Sequence, residues 1–187
     1  MNRERLRPAY TPEQLGRLYA TPHDHRRWSD HHLRVNATIE VARWMCVTLG
    51  GVERAADLSC GNGAILKAIP AHDRHFGDFA PGHEFTGPIE ETIGQIPTVD
   101  MFICSETIEH LDDPDVALKA IRGKARQLVL STPVDAWDDT NPEHYWAWSR
   151  AGVEEMLTAA GFQAVVYTAV DFRPAGLPYE FGIWGCR

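Results

Sequence analysis

The sequence lacks the features that mark membrane, disulfide-rich and zinc-ribbon proteins. No apolar run approaches the ~18 residues that cross a bilayer, and no signal-peptide pattern opens the chain. The four cysteines have no Cys-x-x-Cys spacing, so they predict small buried side chains in a reducing compartment, not a zinc site or a disulfide framework. We therefore expect a cytoplasmic protein without a membrane partner.

Positive charge is also scarce. The chain has 18 basic and 26 acidic residues, a formal net charge of −8 and a pI near 5.5. This balance argues against a protein that relies on phosphate contacts along nucleic acid. A local basic cluster remains at Arg3, Arg5 and Arg7, and we expect it to lie in a solvated chain terminus.

Histidines with metal-ligand spacing are missing from the N-terminal half. His31 and His32 are adjacent, so on a helix their side chains point about 100° apart and do not share one ion, as residues four apart would. The sequence therefore leads us to expect no metal.

The length and composition suit one compact domain. A chain of 187 residues that is 44% hydrophobic is long enough to bury a full core. Residues 1–28 are polar and broken by prolines, so we interpret them as an N-terminal arm and a candidate lid, and residues 29–187 as the core. Within the arm, Thr11 as N-cap and Pro12 at the first helical position predict a short helix over residues 12–19.

Short apolar runs alternate with helical patterns along the rest of the chain. Strands are predicted at residues 54–58, 74–79, 99–104, 127–131, 162–168 and 181–186, a further strand with its exit at 84–90, and helices at 30–49, 64–69, 115–121 and 150–160. This alternation predicts an α/β fold with a doubly wound, seven-stranded, mostly parallel sheet. Only a loop separates the last two strands, so the last strand is expected to be antiparallel.

A turn with two glycines follows the first strand, at residues 57–63. Gly61 and Gly63 permit a tight turn and a close approach of backbone to ligand, and the helix that follows offers unpaired N–H groups. Leu66 stands where the dinucleotide fingerprint has its third glycine, and no Gly-Lys-Ser/Thr follows as in a P-loop. The pattern predicts a nucleotide-type ligand site, with an ordinary strand-to-helix turn as the alternative.

An acid ends the second predicted strand. In βαβ ligand sites a carboxylate at this place accepts both hydroxyls of a ribose. Asp78 directly ends the apolar run and lies fifteen residues past Gly63, which fits a short crossover helix. Asp73, five residues earlier, is the alternative.

Residues 57–63 resemble motif I of the class I S-adenosylmethionine-dependent methyltransferases, whose common form is Asp/Glu-x-Gly-x-Gly-x-Gly, with Ser59 in place of the first glycine. The segment at 105–114 is similar to the "vxEHlxDP" run that follows the fourth strand in many small-molecule methyltransferases. Thr132-Pro133 and the Pro-x-His stretch at 142–144 match as well. The resemblance covers roughly residues 30–186.

The resemblance implies a Rossmann-like methyltransferase fold, S-adenosylmethionine as cofactor and S-adenosylhomocysteine as product. The implied cofactor contacts are a possible carboxylate-binding arginine, the glycine turn, the ribose acid and its neighbour, the adenine segment, and the segment after the fourth strand. These residues are Arg34; Asp57, Ser59, Cys60, Gly61, Asn62 and Gly63; Asp78 and Phe79; Pro88, Ile89 and Glu90; Ser105, Glu106 and Thr107. A surface arginine is the alternative for Arg34. Pro88 replaces the family's acid, so the adenine contact would rest on Ile89, with Glu90 as a substitute acid.

The implied reaction is methylation of a small molecule or metabolite at oxygen or nitrogen. His110 and His144 stand where a base could remove the acceptor proton, and an imidazole has its ordinary pKa near neutrality. The alternatives are helix capping or a core hydrogen bond for His110 and a hydrogen bond that tethers the loop for His144. Four aromatic residues in the segment 135–148 either pack on the core or form a lid over the ligand. They are Trp137, Tyr145, Trp146 and Trp148.

Other functions can be weighed from motifs that the chain lacks. It has neither the Asp/Asn-Pro-Pro-Tyr/Phe of exocyclic-amine DNA methyltransferases nor the Pro-Cys of cytosine-C5 enzymes, so DNA is an unfavourable substrate. It also lacks the Tyr-x-x-x-Lys pair of nicotinamide-dependent reductases. A non-catalytic cofactor-binding or scaffold protein remains the main alternative, and RNA is left open as an acceptor. The oligomeric state is unknown.

Overall fold

Strands and helices alternate along the computed structural model, which describes residues 2–21, 28–48 and 50–187. Residues 22–27 of the predicted arm lie outside the described residues. The strands are β1 Arg3–Arg5, β2 Arg54–Asp57, β3 Asp73–Asp78, β4 Phe85–Thr86, β5 Val99–Ser105, β6 Ala125–Val134, β7 Trp146–Trp148, β8 Ala164–Asp171 and β9 Glu180–Cys186. The α-helices are α1 Pro12–Leu18, α2 His31–Thr48, α3 Ala64–Ala68, α4 Ile89–Thr92, α5 Pro114–Lys124 and α6 Arg150–Ala160. Short 3-10 turns follow at Ile108–His110 and Arg173–Ala175.

Seven strands form one twisted sheet in the order β4-β3-β2-β5-β6-β9-β8. The pairs from β4 to β6 are parallel, and β9 is antiparallel to both β6 and β8. The order reverses at β2, from which the chain builds outward on both sides. The predicted doubly wound, mostly parallel sheet with an antiparallel last strand is confirmed. Among the described residues, none of the helices has the length and apolar character to span a bilayer.

The sheet is buried on both faces, which explains the continuous apolar run of β5. Met101 and Ile103 pack with side chains of α2 and α3, whereas Phe102 and Cys104 pack with side chains of α4, α5 and α6. Successive side chains of a strand point to opposite faces, so both faces must be apolar. The functional loops are therefore confined to the ends of the strands.

The strand predicted with its exit at 84–90 is short. It consists of the two residues of β4, and the exit leads into α4, which begins at Ile89 with Pro88 as its N-cap residue. Proline fixes φ near the helical value and lacks the N–H that the sheet would need, so it favours a helix start. The predicted helix over 12–19 is confirmed as α1, with Thr11 and Gln14 forming a capping box.

Arg3 and Arg5 of the basic cluster lie in a paired strand and not in a frayed terminus, although Arg5 stays exposed. Strand β1 pairs antiparallel with β7, and the guanidinium groups of Arg3 and Arg5 lie 4.1 and 5.1 Å from the centre of the Trp146 ring. The same two arginines form ion pairs with Asp115 and Asp112. The aromatic ring and the carboxylates thus hold an arginine-rich segment that carries little apolar surface of its own.

Aromatic residues of the segment 135–148 pack on the core, as one of the two predictions has it, and the lid stays a prediction. Tyr145 and Trp148 are buried, each 1% exposed, and the indole N–H of Trp148 donates to the carbonyl oxygen of Pro133. The residues between Asp138 and His144 instead line a cavity. The buried aromatic rings thus anchor a polar stretch beside that cavity.

Gly152 lets the N-terminal strand approach helix α6. A Cβ atom there would lie 1.8 Å from the carbonyl oxygen of Asn2, which accepts a hydrogen bond from the Ser149 N–H at 3.1 Å. We expect Gly152→Ala to displace residue 2 and disrupt the β1–β7 pairing, because the terminus moves more easily than the helix. Hydrogen exchange should become faster at the Ser149 amide, and proteolysis faster near the N-terminus.

The matched control for this substitution is Gly123→Ala, in helix α5. An added Cβ at Gly123 has nothing within 4 Å, so it should leave both measurements unchanged. Equal exchange rates in the two variants would show that β1 adjusts to the alanine without losing its pairing.

Candidate functional site

A cavity of about 1710 Å³ opens at the carboxyl ends of the parallel strands β2, β3, β5 and β6. This edge, where the strand order reverses, is where open α/β sheets bind ligands. Part of the N-terminal segment also lines the cavity, through Pro8 to Pro12, Leu15 and Tyr19. The Tyr19 hydroxyl donates to the carboxylate of Glu143 at 3.0 Å, which ties α1 to the aromatic segment.

The glycine turn forms the floor of the cavity at the end of β2. Asp57 is 2% exposed, and its carboxylate accepts the Ser59 N–H at 3.0 Å. The Cys60 N–H donates to the Gly77 carbonyl oxygen at 2.9 Å, which fastens the turn to β3. These bonds hold the backbone of the turn against the sheet without using the cavity side.

Gly63 is the exception among the predicted site residues, since it does not lie on the cavity surface. Its φ of 74° is left-handed, and a Cβ atom would stand 2.9 Å from the Phe76 ring. Its role in the structure is to begin α3 close to β3, which only a glycine allows here. The other predicted residues of the turn line the cavity.

Asp78 is joined directly to the glycine turn. One carboxylate oxygen accepts the Gly61 N–H at 2.7 Å and the other accepts the Ala80 N–H at 2.9 Å. Phe79 follows on the cavity surface, with its ring 5.2 Å from that of Tyr19. The alternative acid, Asp73, pairs in register with Arg54, the first residue of β2. It therefore lies at the amino ends of the parallel strands, opposite the cavity.

Pro88, Ile89 and Glu90 line the cavity beyond Asp78, at the start of α4. Ile89 is 5% exposed and packs into the core, so only a small part of it contributes to the cavity surface. Sequence reasoning missed His83 in the same region. Its Nε2 lies 2.9 Å from the carbonyl oxygen of Gly61, on a loop whose sequence has no distinguishing pattern.

Arg34 is buried, 8% exposed, so the surface alternative for it is wrong. Its guanidinium lies 3.0 Å from the carboxylate of Asp30 and forms a second ion pair with Glu106. Glu106 has a left-handed φ of 52°, and its N–H donates to the Ser131 carbonyl oxygen at 2.8 Å. This non-glycine residue in the left-handed region is strained, and it lies on the cavity surface in its ion pair with Arg34.

Hydroxyl groups connect the turn to the strands beside it. The Ser59 and Thr107 hydroxyl oxygens are 2.6 Å apart, and the Thr107 hydroxyl donates to the Ser105 carbonyl oxygen at 3.0 Å. The Ser105 hydroxyl oxygen lies 2.7 Å from that of Ser131. This chain of bonds fixes the segment after β5 relative to the glycine turn.

His110 and His144 meet at the far end of the cavity, although they are 34 residues apart in sequence. Their ring centres are 4.7 Å apart at an interplanar angle of 85°. The Nδ1 atom of His144 lies 2.6 Å from a carboxylate oxygen of Asp139. Sequence reasoning named both histidines but missed Asp139, because its approach to His144 depends on the fold of the segment.

Glu109 lies behind the two histidines and is 2% exposed. One carboxylate oxygen accepts the Thr132 hydroxyl at 3.0 Å, and the other has no hydrogen-bond partner among the described residues. Sequence reasoning missed Glu109, although it is the Glu of the quoted Glu-His pair.

Burial, hydrogen bonds and nearby charges shift the pKa values of Glu109, Asp139 and His144 at this end of the cavity. Burial raises the pKa of Glu109. Burial acts to lower the pKa of His144, but the hydrogen bond with Asp139 and the charges of Glu109 and Asp139 outweigh it, so the pKa is raised. Burial acts to raise the pKa of Asp139, but the hydrogen bond with His144, the His144 and Arg7 charges and the Asn141 N–H together outweigh it, so the pKa is lowered.

No protein-family model matches the chain, and no curated protein matches it in sequence. Solved structures match it in fold. A SAM-dependent methyltransferase from Leishmania major is 13% identical with a TM-score of 0.69, over 94% of this chain and 82% of that one. The 1,6-didemethyltoxoflavin-N1-methyltransferase of Burkholderia thailandensis, with bound 1,6-didemethyltoxoflavin and S-adenosylhomocysteine, is 17% identical with a TM-score of 0.65, over 97% and 92%. The [4+2]-cyclase SpnF is 16% identical with a TM-score of 0.67, over 97% of both chains.

These likenesses establish the fold: the chain has the Rossmann-like fold of class I SAM-dependent methyltransferases. At identities below one fifth, they leave the ligand and the reaction of this chain to be argued from its own residues.

Proposed function

We propose that this chain is a methyltransferase that uses S-adenosylmethionine to methylate a small molecule at oxygen or nitrogen. The observation that carries the proposal is the Asp78 carboxylate, fixed by the Gly61 N–H at the switch point of the sheet. A ribose-binding acid joined to a glycine turn is what an adenosine cofactor requires.

In the proposed pose the cofactor lies along the length of the cavity. Asp78 would accept the ribose hydroxyls, since each of its oxygens has a second lone pair beyond the bond it already accepts. Phe79 and the segment from Pro88 to Glu90 would face the adenine, and the residues from Asp57 to Asn62 the methionine half. Arg34 would bind the methionine carboxylate, in competition with Glu106. Ser105 and Thr107 would close the pocket beside the sulfur.

The acceptor would occupy the end of the cavity beyond residue 107, near His110 and His144. Its lone pair would attack the methyl carbon in line with the departing sulfur, the C–S bond would break with its electron pair on sulfur, and S-adenosylhomocysteine would remain. The acceptor proton leaves to a base. The protein mainly holds the two centres in line, which can supply most of the acceleration. The N-terminal segment, which already touches the cavity, would serve as the lid.

A second candidate function is favoured by the likeness to the [4+2]-cyclase SpnF, because it shows that a protein of this fold is not restricted to methyl transfer. In that case the chain binds S-adenosylmethionine without transferring its methyl group, or acts as a scaffold. An RNA acceptor is less favoured, because the net charge is −8.

Calorimetric titration with S-adenosylmethionine and, separately, S-adenosylhomocysteine tests the proposal. We expect micromolar binding of both, followed by uptake of labelled methyl into a component of a metabolite extract. Binding without methyl uptake would favour the second candidate. Absence of binding to a folded sample would contradict both cofactor-based functions.

A further inference from the structure

Three side chains at the acceptor end of the cavity present ligand atoms to one small volume. One nitrogen or oxygen atom from each of Glu109, His110 and His144 lies within 4.8 Å of the other two. We propose that these residues bind a divalent transition-metal ion, which in turn binds an acceptor through oxygen. The role of the ion rests on the proposed function, whereas the metal site stands on the geometry alone.

Glu109 is held in the position that a metal ligand needs. Its residue surface is 2% exposed, and the Thr132 hydroxyl at 3.0 Å orients one carboxylate oxygen. The other oxygen is buried without a hydrogen-bond partner among the described residues. Such an oxygen is unfavourable unless something compensates it, and a cation between Glu109 and the two imidazoles would do so.

His144 has the second hydrogen bond that metal-bound histidines commonly have. Its Nδ1 lies 2.6 Å from the carboxylate of Asp139, so with the proton on Nδ1 the lone pair is on Nε2. The N–H of the next residue, Tyr145, donates to the carbonyl oxygen of Glu109 at 2.7 Å. This backbone bond fixes the segment that carries His144 against the one that carries Glu109 and His110.

The donor set favours one class of ion. Two imidazole nitrogens and one carboxylate oxygen suit Zn²⁺, Mn²⁺, Fe²⁺ or Co²⁺ better than Mg²⁺ or Ca²⁺, which prefer oxygen alone. Three protein ligands leave coordination positions open. Because His110 and His144 line the cavity, an ion held by them would be accessible to an acceptor bound there.

This geometry narrows the acceptor to a molecule with a hydroxyl group. A hydroxyl bound to the ion has a lowered pKa and releases its proton to water near neutral pH. The resulting oxygen lone pair attacks the methyl carbon, and the C–S electron pair goes to sulfur. The ion is unchanged at the end of the reaction and needs no oxidant or reductant.

The metal site can be tested without activity, by titrating tag-free protein with Co²⁺ and following its visible absorption. Dialysis against Zn²⁺ with elemental analysis should give one ion per chain. We expect Glu109→Gln and His144→Ala to weaken binding at least about 100-fold, and Asp139→Asn, which removes only the supporting carboxylate, to weaken it about 10- to 100-fold. His72→Ala is the matched control, since the His72 side chain is 84% exposed beside Glu53, and it should bind the ion like the unaltered protein.

The proposal is overturned if the unaltered protein takes up no Co²⁺ and no Zn²⁺, or if Glu109→Gln, His144→Ala and His72→Ala bind equally. Should one variant fail to fold, the graded loss in Asp139→Asn still decides. Titration of the same samples with S-adenosylhomocysteine separates the two proposals: binding of the nucleoside without the metal removes only this inference, and binding of the metal without the nucleoside removes only the proposed function.

Discussion

Replacing Asp78 by alanine is expected to lower the affinity for S-adenosylmethionine at least about 100-fold. The carboxylate would accept two charge-assisted bonds from the ribose, each worth about 1.5–3 kcal/mol, and 1.4 kcal/mol corresponds to a factor of ten. The substitution also removes the acceptor of the Gly61 N–H at 2.7 Å, so the turn beneath the cofactor loses its attachment to the end of β3.

Asp73→Ala is the matched control, because it is an acid of the same strand at the opposite edge of the sheet. Calorimetry with both nucleosides should give the unaltered affinity for this variant, and circular dichroism should show both variants folded. If Asp78→Ala also binds like the unaltered protein, the ribose is not bound at the end of β3 and the proposed cofactor pose is wrong.

The sheet could be predicted from sequence because its strands are buried on both faces and so read as short apolar runs with polar boundaries. For example, the strands predicted at residues 99–104 and 181–186 each differ by a single residue from the observed strands β5 and β9. Strand β1 could not be found in this way. Its residues Arg3, Glu4 and Arg5 have no apolar pattern, and their pairing depends on Trp146, which is more than 140 residues away.

The same distinction separates the site residues that could be predicted from sequence from those that could not. The residues of the glycine turn, Asp78 and the segment after β5 follow the ends of predicted strands, so topology alone brings them to one edge of the sheet. The cluster of Glu109, His110, His144 and Asp139 depends instead on how the segment 135–148 folds back over that edge. Its only local signal was the Glu-His pair, which says nothing about a partner elsewhere in the chain.

A second large effect should appear in the pH dependence of stability, through Asp57. Burial, the strongest influence, raises the pKa of Asp57 to about 7, and the charge of Asp78 adds to this, while the bonds from Ser59 act in the opposite direction. The thiols of Cys60 and Cys104, which also face Asp57, have raised pKa values and stay neutral. In the unfolded chain an aspartate has a pKa of about 4.

Between those two values the folded protein holds a proton that the unfolded chain has released. The contribution of Asp57 to the free energy of unfolding is therefore fully present below about pH 4 and is lost as the pH rises to about 7, by an amount on the order of 4 kcal/mol. Asp57→Asn, which resembles the protonated side chain, should remove most of this loss. Urea unfolding at about pH 5 and about pH 8 measures it, and an equal loss in the asparagine variant would assign the effect to other groups.

The ionisation of Asp57 should also change the affinity for the cofactor. This effect distinguishes an Asp57 side chain that only affects the stability of the fold from one that faces the ligand. S-adenosylmethionine carries a positive sulfonium that S-adenosylhomocysteine lacks, and a positive charge beside Asp57 favours its ionised form. The affinity for S-adenosylmethionine should thus rise between about pH 5 and about pH 8 more steeply than the affinity for S-adenosylhomocysteine, and the difference should vanish in Asp57→Asn. Parallel pH profiles for the two nucleosides in the unaltered protein would mean that the sulfur is held away from the glycine turn, and the methionine half of the proposed pose would have to be reversed.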